Sequence, residues 1–140
     1  MTVDPVAQGR RVVSPQTALD VRRMLQSVID SGTGKLARLD GYTAGGKTGT
    51  AQIAENGRYG GKFVASFIGM APMSAPRFVI LVAVTAPQGG HYGGVVAGPV
   101  FKEIAEKALL SNRVPHDKAE DPTESKRRKR RMAEVAVAEL

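Results

Sequence analysis

The 140-residue chain contains no cysteine and only two histidines, His91 and His116. Without a thiol there is no disulfide framework, no thiolate metal site and no cysteine nucleophile, and two histidines are too few for a His-rich metal cluster. No apolar run approaches the ~18 residues that suggest a membrane-spanning helix. The longest, residues 78–86, is interrupted by Thr85 and fits a strand. Residues 1–10 lack the apolar centre of a signal peptide, so the expectation for the chain as it stands is neither a secretion signal nor an anchor. The composition, 42% apolar and 24% charged, is that of a globular domain and excludes a wholly disordered or fibrous chain.

The net charge is +7, and its distribution matters more than its size. Residues 116–140 hold seven basic and six acidic side chains, and look basic only because Lys126, Arg127, Arg128, Lys129, Arg130 and Arg131 are contiguous. An acidic, proline-containing stretch, residues 117–124, precedes them. Such patterning predicts a solvated, disordered tail. A six-residue basic run is also a candidate contact for an anionic surface or nucleic acid, but no aromatic residues interleave with the charges to stack on bases, so no nucleic-acid partner is expected.

Upstream of the tail the pattern is helical, then extended, then helical. Ser14-Pro15 suits an N-cap followed by the first helical position. From there Ala18, Val21, Leu25, Val28 and Ile29 recur at helical spacing until Gly32 and Gly34 interrupt them, predicting a helix over 15–31. Residues 42–53 lie in a glycine-rich stretch that can run extended, and Asn56-Gly57 is a hairpin signal because both residues tolerate positive φ. Two apolar runs follow, 63–70 and 77–86, with Pro72 and Pro76 bracketing the loop between them. Both are too apolar for a sheet with one wet face, which predicts helices on both faces. A last helix is expected over 95–110, with Pro99 in its first turn and a stripe of Val100, Phe101, Ile104, Ala105, Ala108 and Leu109.

One segment supports two chemistries. Gly41-Tyr42-Thr43-Ala44-Gly45-Gly46-Lys47-Thr48 fits G-x-x-x-x-G-K-[ST], the phosphate-cradling loop. That loop needs a buried strand before it and a helix starting at the lysine, so that helix N–H groups meet phosphate. Residues 36–40 are too short and charged for such a strand, and after Thr48 come Gly49 and the Asn56-Gly57 turn rather than an amphipathic helix. The overlapping alternative is Lys47-Thr48-Gly49-Thr50, followed by Ala51-Gln52, on a predicted strand. K-T-G is the third motif of penicillin-binding proteins and class A β-lactamases.

Four stretches extend that likeness. They are Ser14-Pro15-Gln16-Thr17-Ala18 with Arg22-Arg23-Met24-Leu25, then Gly46 through Gln52, then Phe63-Val64-Ala65-Ser66-Phe67-Ile68-Gly69-Met70-Ala71-Pro72, and Tyr92-Gly93-Gly94 leading to Pro99-Val100-Phe101. In this order and spacing, over residues 10–112, the chain resembles the C-terminal part of the transpeptidase domain of a class B penicillin-binding protein. These are the peptidoglycan D,D-transpeptidases of cell division and elongation. The resemblance implies an α/β (α+β) fold, part of the penicillin-binding-protein and serine β-lactamase architecture: helix, three antiparallel strands, helix. Residues 1–13 would be a lead-in, 14–115 the C-terminal portion of the domain, and 116–140 the charged tail.

The resemblance also implies roles. In that family a serine from S-x-x-K attacks the D-Ala-D-Ala stem peptide, and the acyl group then passes to an amine; β-lactams mimic the substrate. No cofactor or metal is implied. Lys47 would supply a positive charge to proton transfer and to the substrate carboxylate. Thr48 and Thr50 would offer it hydroxyls, and the Thr50 N–H would form half of the oxyanion hole, where one donor is worth ~2.7–4 kcal/mol of barrier. Gly49 would let the substrate backbone lie against the strand, and Gln52 is a weaker contact. His91 reads as a packing residue rather than a base.

No serine is followed three positions later by lysine, and no S-x-N is present. The expectation is therefore a piece of a catalytic domain that needs the missing N-terminal part of that domain to act. The parent would work at the outer face of the bacterial inner membrane. In the family, the last strand pairs with the domain's first strand; without it, residues 77–86 would leave an apolar edge open to association.

Overall fold

A computed structural model describes residues 10–118. In order they form α1 (Pro15–Asp30), a 3-10 turn (Lys35–Ala37), β1 (Gly45–Glu55), β2 (Arg58–Ala71), β3 (Phe78–Thr85), a short helical turn α2 (Gly93–Val96) and α3 (Gly98–Ser111). The strands form one antiparallel sheet in the order β1-β2-β3.

The local signals account for the boundaries. Ser14 is extended, and its Oγ accepts from the Thr17 N–H at 3.0 Å, with Pro15 opening α1. Beyond Ser31 the Gly34 N–H turns back to the Val28 carbonyl at 2.9 Å. Asn56 and Gly57 have φ of 52° and 75°, the left-handed pair that a two-residue hairpin needs, and Glu55 pairs with Arg58 across them. The strands run longer toward this turn than their apolar cores, because ribbon pairing continues through polar residues. The ladder slips once, between Gln52 and Ala54. The Ala71–Pro72 peptide is cis.

The core lies on one face of the sheet. Phe67 of β2 meets Phe101 of α3 with ring centroids 4.9 Å apart, and Ile29 of α1, Leu39, Tyr42, Ala105 and Leu109 complete the cluster. Fully burying a Phe or Leu contributes ~1.5–3 kcal/mol, so this cluster is the main anchor of α3. Of its expected stripe, Phe101, Ala105 and Leu109 are buried while Val100 and Ile104 stay exposed; the earlier residues 93–96 form the separate turn α2.

Among the described residues, helices do not cover both faces. Val79 and Leu81 of β3 are 66% and 65% exposed, and Ile68, the register partner of Leu81, is exposed as well. The apolar runs encode burial that the helices described here supply on one side only. His116 and Lys118, read from composition as the start of the tail, lie among the described residues, docked against residues 41–43. Residues 119–140, including the basic run, lie outside the described residues, as do 1–9 of the lead-in.

Candidate active site

Lys47, Thr48, Gly49 and Thr50 run extended in β1, whose only strand partner among the described residues is β2, so they line a free edge. No helix starts at Lys47. The next element is the hairpin into β2, and the phosphate-loop reading is thereby corrected: there are no helical N–H groups at the lysine to receive a phosphate.

Alternation along the strand sorts the side chains. Thr48, Thr50 and Gln52 point to one face and Lys47 and Gly49 to the other, the latter pairing with Ile68 and Ser66 on the uncovered apolar face. Lys47 is long enough to fold round the edge. Its Nζ donates to the Thr48 carbonyl at 3.0 Å and comes within 3.4 Å of Thr48 Oγ1. It makes no ion pair among the described residues, which leaves its charge available to an anionic ligand. The edge thus brings a cation and the hydroxyls of Thr48 and Thr50 to one rim. Gln52 sits further along the same face, exposed, beside the ladder slip.

Three residues hold this rim in place that sequence reasoning did not assign to it. Thr33, in the loop after α1, lies 3.0 Å from Thr48 Oγ1 through its own hydroxyl. The Gly93 N–H donates to Thr50 Oγ1 at 3.3 Å. Gly94 rests against the Thr33 carbonyl and the Thr48 methyl. Only glycine fits at 93: a Cβ there would stand 2.1 Å from the Ser66 carbonyl oxygen and 2.4 Å from that of Gly49. A Cβ on Gly49 itself would meet only Ser66 Oγ at 2.5 Å, a contact that a turn of the serine side chain relieves, so packing alone does not require glycine there. The signals were the glycines beside these contacts: Gly32 and Gly34, which sequence alone reads as the end of a helix, and Gly93-Gly94, which it reads only as the approach to the last one.

His91 is stacked on Phe63 (centroids 4.3 Å apart, 19° between planes) and against Tyr92 (4.4 Å). Packing, not base chemistry, explains its position. An open groove of about 300 Å³ lined by Lys62, Phe63, Pro87, Gln88 and His91 lies past the Gln52 end and includes none of residues 47–50. Among the described residues the candidate site is a strand edge.

Comparison with known proteins bears on what such an edge belongs to. The family model of the penicillin binding protein transpeptidase domain matches residues 2–106. The chain belongs to that family. It is 47% identical over 105 residues to a probable peptidoglycan D,D-transpeptidase, PenA, of Neisseria flavescens, covering 73% of this chain and 26% of that protein. It is 39% identical over 118 residues to the peptidoglycan D,D-transpeptidase FtsI of Escherichia coli, covering 82% and 20%, and 42% identical over 107 residues to stage V sporulation protein D of Bacillus subtilis, covering 75% and 16%. The transpeptidase domain of Burkholderia pseudomallei penicillin-binding protein 3 superposes with a TM-score of 0.72 at 47% identity, over 79% of this chain and 34% of that one. The chain therefore spans about a quarter or less of these three curated relatives. No helix of the described residues is long and apolar enough to cross a membrane.

Proposed function

We propose that this chain supplies the K-T-G-T wall of a penicillin-sensitive peptidoglycan D,D-transpeptidase, and that the nucleophile comes from the remainder of the transpeptidase domain. The observation that carries the reading is the rim itself: a lysine ammonium with no ion-pair partner among the described residues, within 3.4 Å of the Thr48 hydroxyl, on a strand edge that no described strand pairs. A stem peptide ending in D-Ala-D-Ala presents a terminal carboxylate, which matches a cation flanked by the hydroxyls of Thr48 and Thr50. The serine of S-x-x-K attacks the penultimate carbonyl carbon, the peptide C–N bond breaks, and D-Ala leaves with the serine proton. An amine of a neighbouring stem then attacks the acyl carbon, the ester C–O bond to the serine breaks, and the amine's proton returns to the serine oxygen as the cross-link forms. At both tetrahedral stages the negative oxygen needs preorganised donors, and the Thr50 N–H is the donor this chain contributes.

The same groups accept a β-lactam, whose carboxylate and lactam carbonyl replace those of the stem. The parent acts outside the bacterial inner membrane, where its polymer is assembled. Residues 126–131 are then a contact for an anionic surface and not the functional element.

The test mixes the chain with the N-terminal remainder of the domain, carrying S-x-x-K and S-x-N, and follows covalent labelling by a fluorescent penicillin. Labelling should require both pieces. Lys47→Ala should slow it by ~10²–10⁴-fold, the range of a lost acid–base group. Labelling that is indifferent to Lys47, or absent although the two pieces assemble, overturns the assignment.

A further inference from the structure

The folded chain does not stop at α3. Arg113 turns with φ of 52°, and the Val114 N–H reaches back to the Leu109 carbonyl. From there residues 114–118 run as a strap along the segment that leads into β1. The Tyr42 hydroxyl donates to the Val114 carbonyl at 2.8 Å, His116 stands edge-on to the Tyr42 ring, and the Lys118 N–H donates to the Gly41 carbonyl at 3.2 Å.

At the centre of the strap is the Asp117 carboxylate. Its Oδ1 accepts from the Thr43 N–H at 2.7 Å. Its Oδ2 accepts from the Thr43 hydroxyl, from the Ser74 hydroxyl at 2.7 Å and from the Ser74 N–H at 3.3 Å. Thr43 lies two residues before β1, and Ser74 three residues after β2. One carboxylate therefore ties together the two chain segments that flank the Gly45–Met70 end of the ladder. Hydrogen bonds to an ionised acceptor are roughly twice as strong as neutral ones. The linkage continues toward the rim. Thr43 Oγ1 accepts from the Met73 N–H at 2.8 Å, and Met73 Cε lies 2.6 Å from where a Cβ on Gly45 would stand. Gly45 shares a strand face with Lys47, two residues on.

We infer that Asp117 is a positioning residue for the K-T-G-T edge: it fixes the start of β1 and so sets where Lys47 and Thr48 stand. An edge strand has a strand partner on one side only, so the contacts of Thr33 and Gly93 and the anchoring of its ends carry more of its position. At the end away from the hairpin that anchoring is the Asp117 carboxylate, which ties the segments on both sides of the ladder. Burial raises the Asp117 pKa, but the bonds from Thr43 and Ser74 outweigh it and hold the carboxyl below its ordinary range. The family-model match ends at residue 106, short of this strap. The functional half of the inference rests on the transpeptidase reading above.

The experiment has two arms. In the isotope-labelled full chain, Asp117→Ala should speed amide exchange at Thr43 and Ser74 at least ten-fold and displace the amide resonances of Gly45 through Thr48, leaving Phe101 through Leu109 in place. Asp117→Asn, which keeps an acceptor for the Thr43 N–H, should restore Thr43 but not Ser74. In the reassembled domain, the acylation rate constant per active site should fall at least five-fold in Asp117→Ala and partly recover in Asp117→Asn. Loss of folded material alone would lower the labelled fraction and leave that constant unchanged. If Asp117→Ala does not fold, Asp117→Asn and Thr43→Val carry both arms. Unmoved resonances at 45–48, or an unchanged rate constant, overturn the inference. Failure of the unsubstituted assembly to label at all would instead overturn the transpeptidase reading, and the resonance arm would then decide the structural claim.

Discussion

Replacing Gly93 by alanine sets two opposed effects against each other. Gly93 opens α2, and on helix propensity alone alanine would gain ~0.5–1 kcal/mol. Space argues the other way. A Cβ at this position stands 2.1 and 2.4 Å from two carbonyl oxygens, those of Ser66 and Gly49. These residues are paired across β1 and β2, so no rotamer change relieves the clash, and loop or strand must move. Overpacking costs ~1–3 kcal/mol, and movement also breaks the Gly93 bond to Thr50 Oγ1, a further ~0.5–1.5 kcal/mol. Sterics win by on the order of 2 kcal/mol. With a urea slope of ~1–3 kcal/mol/M, the unfolding midpoint should fall by about 1 M. The measurement is a urea titration followed by circular dichroism at low protein concentration, with Gly60→Ala alongside. There a Cβ meets only Glu55 Oε2, at 3.6 Å, and stability should hold or rise slightly. Equal midpoints for the two variants would refute the packing of this loop on the sheet, and with it the claim that the loop fixes Thr50.

Further outcomes follow from other parts of the fold. Ser14→Ala removes the acceptor for the Thr17 N–H and should cost about 1 kcal/mol, read as a lower midpoint with the slope unchanged. The apolar edge of β3, unpaired among the described residues, should make the chain associate with concentration in sedimentation velocity, and Val79→Lys with Leu81→Lys should suppress this; a monodisperse, cooperatively melting parent chain would contradict it. Because Asp117 has its pKa lowered by folding, its contribution is complete above the ordinary carboxylate range and drains away as pH falls through the folded-state value. The stability gap between the parent and Asp117→Asn should therefore be constant near neutrality and shrink in acid. A gap that widens on acidification would reverse the sign and exclude the ionised carboxylate as the acceptor.

What could be read from the sequence was what is local. Ser14-Pro15 starts a helix, Asn56-Gly57 turns a hairpin and Lys47 through Thr50 lies on a strand, because capping, positive φ and alternation act between near neighbours. The groups that place the rim are joined over distances no pattern spans: Thr33 to Thr48 across 15 positions, Gly93 to Thr50 across 43, Asp117 to Thr43 across 74. Asp117 shows the difficulty most sharply. Set among prolines and charges, it reads by composition as solvated, yet four hydrogen bonds hold it against the domain, and satisfaction of a carboxylate leaves no trace in hydropathy. The apolar runs of β2 and β3 mislead in the opposite sense. They promised helices on both faces, and Ile68, Val79 and Leu81 stand open on one. Hydropathy records that a face is meant to be covered, not by which segment. Lys47 starts on that face, but its Nζ folds round the edge to the Thr48 carbonyl, so the face that hydropathy marks for burial is not the one to which the strand delivers its cation.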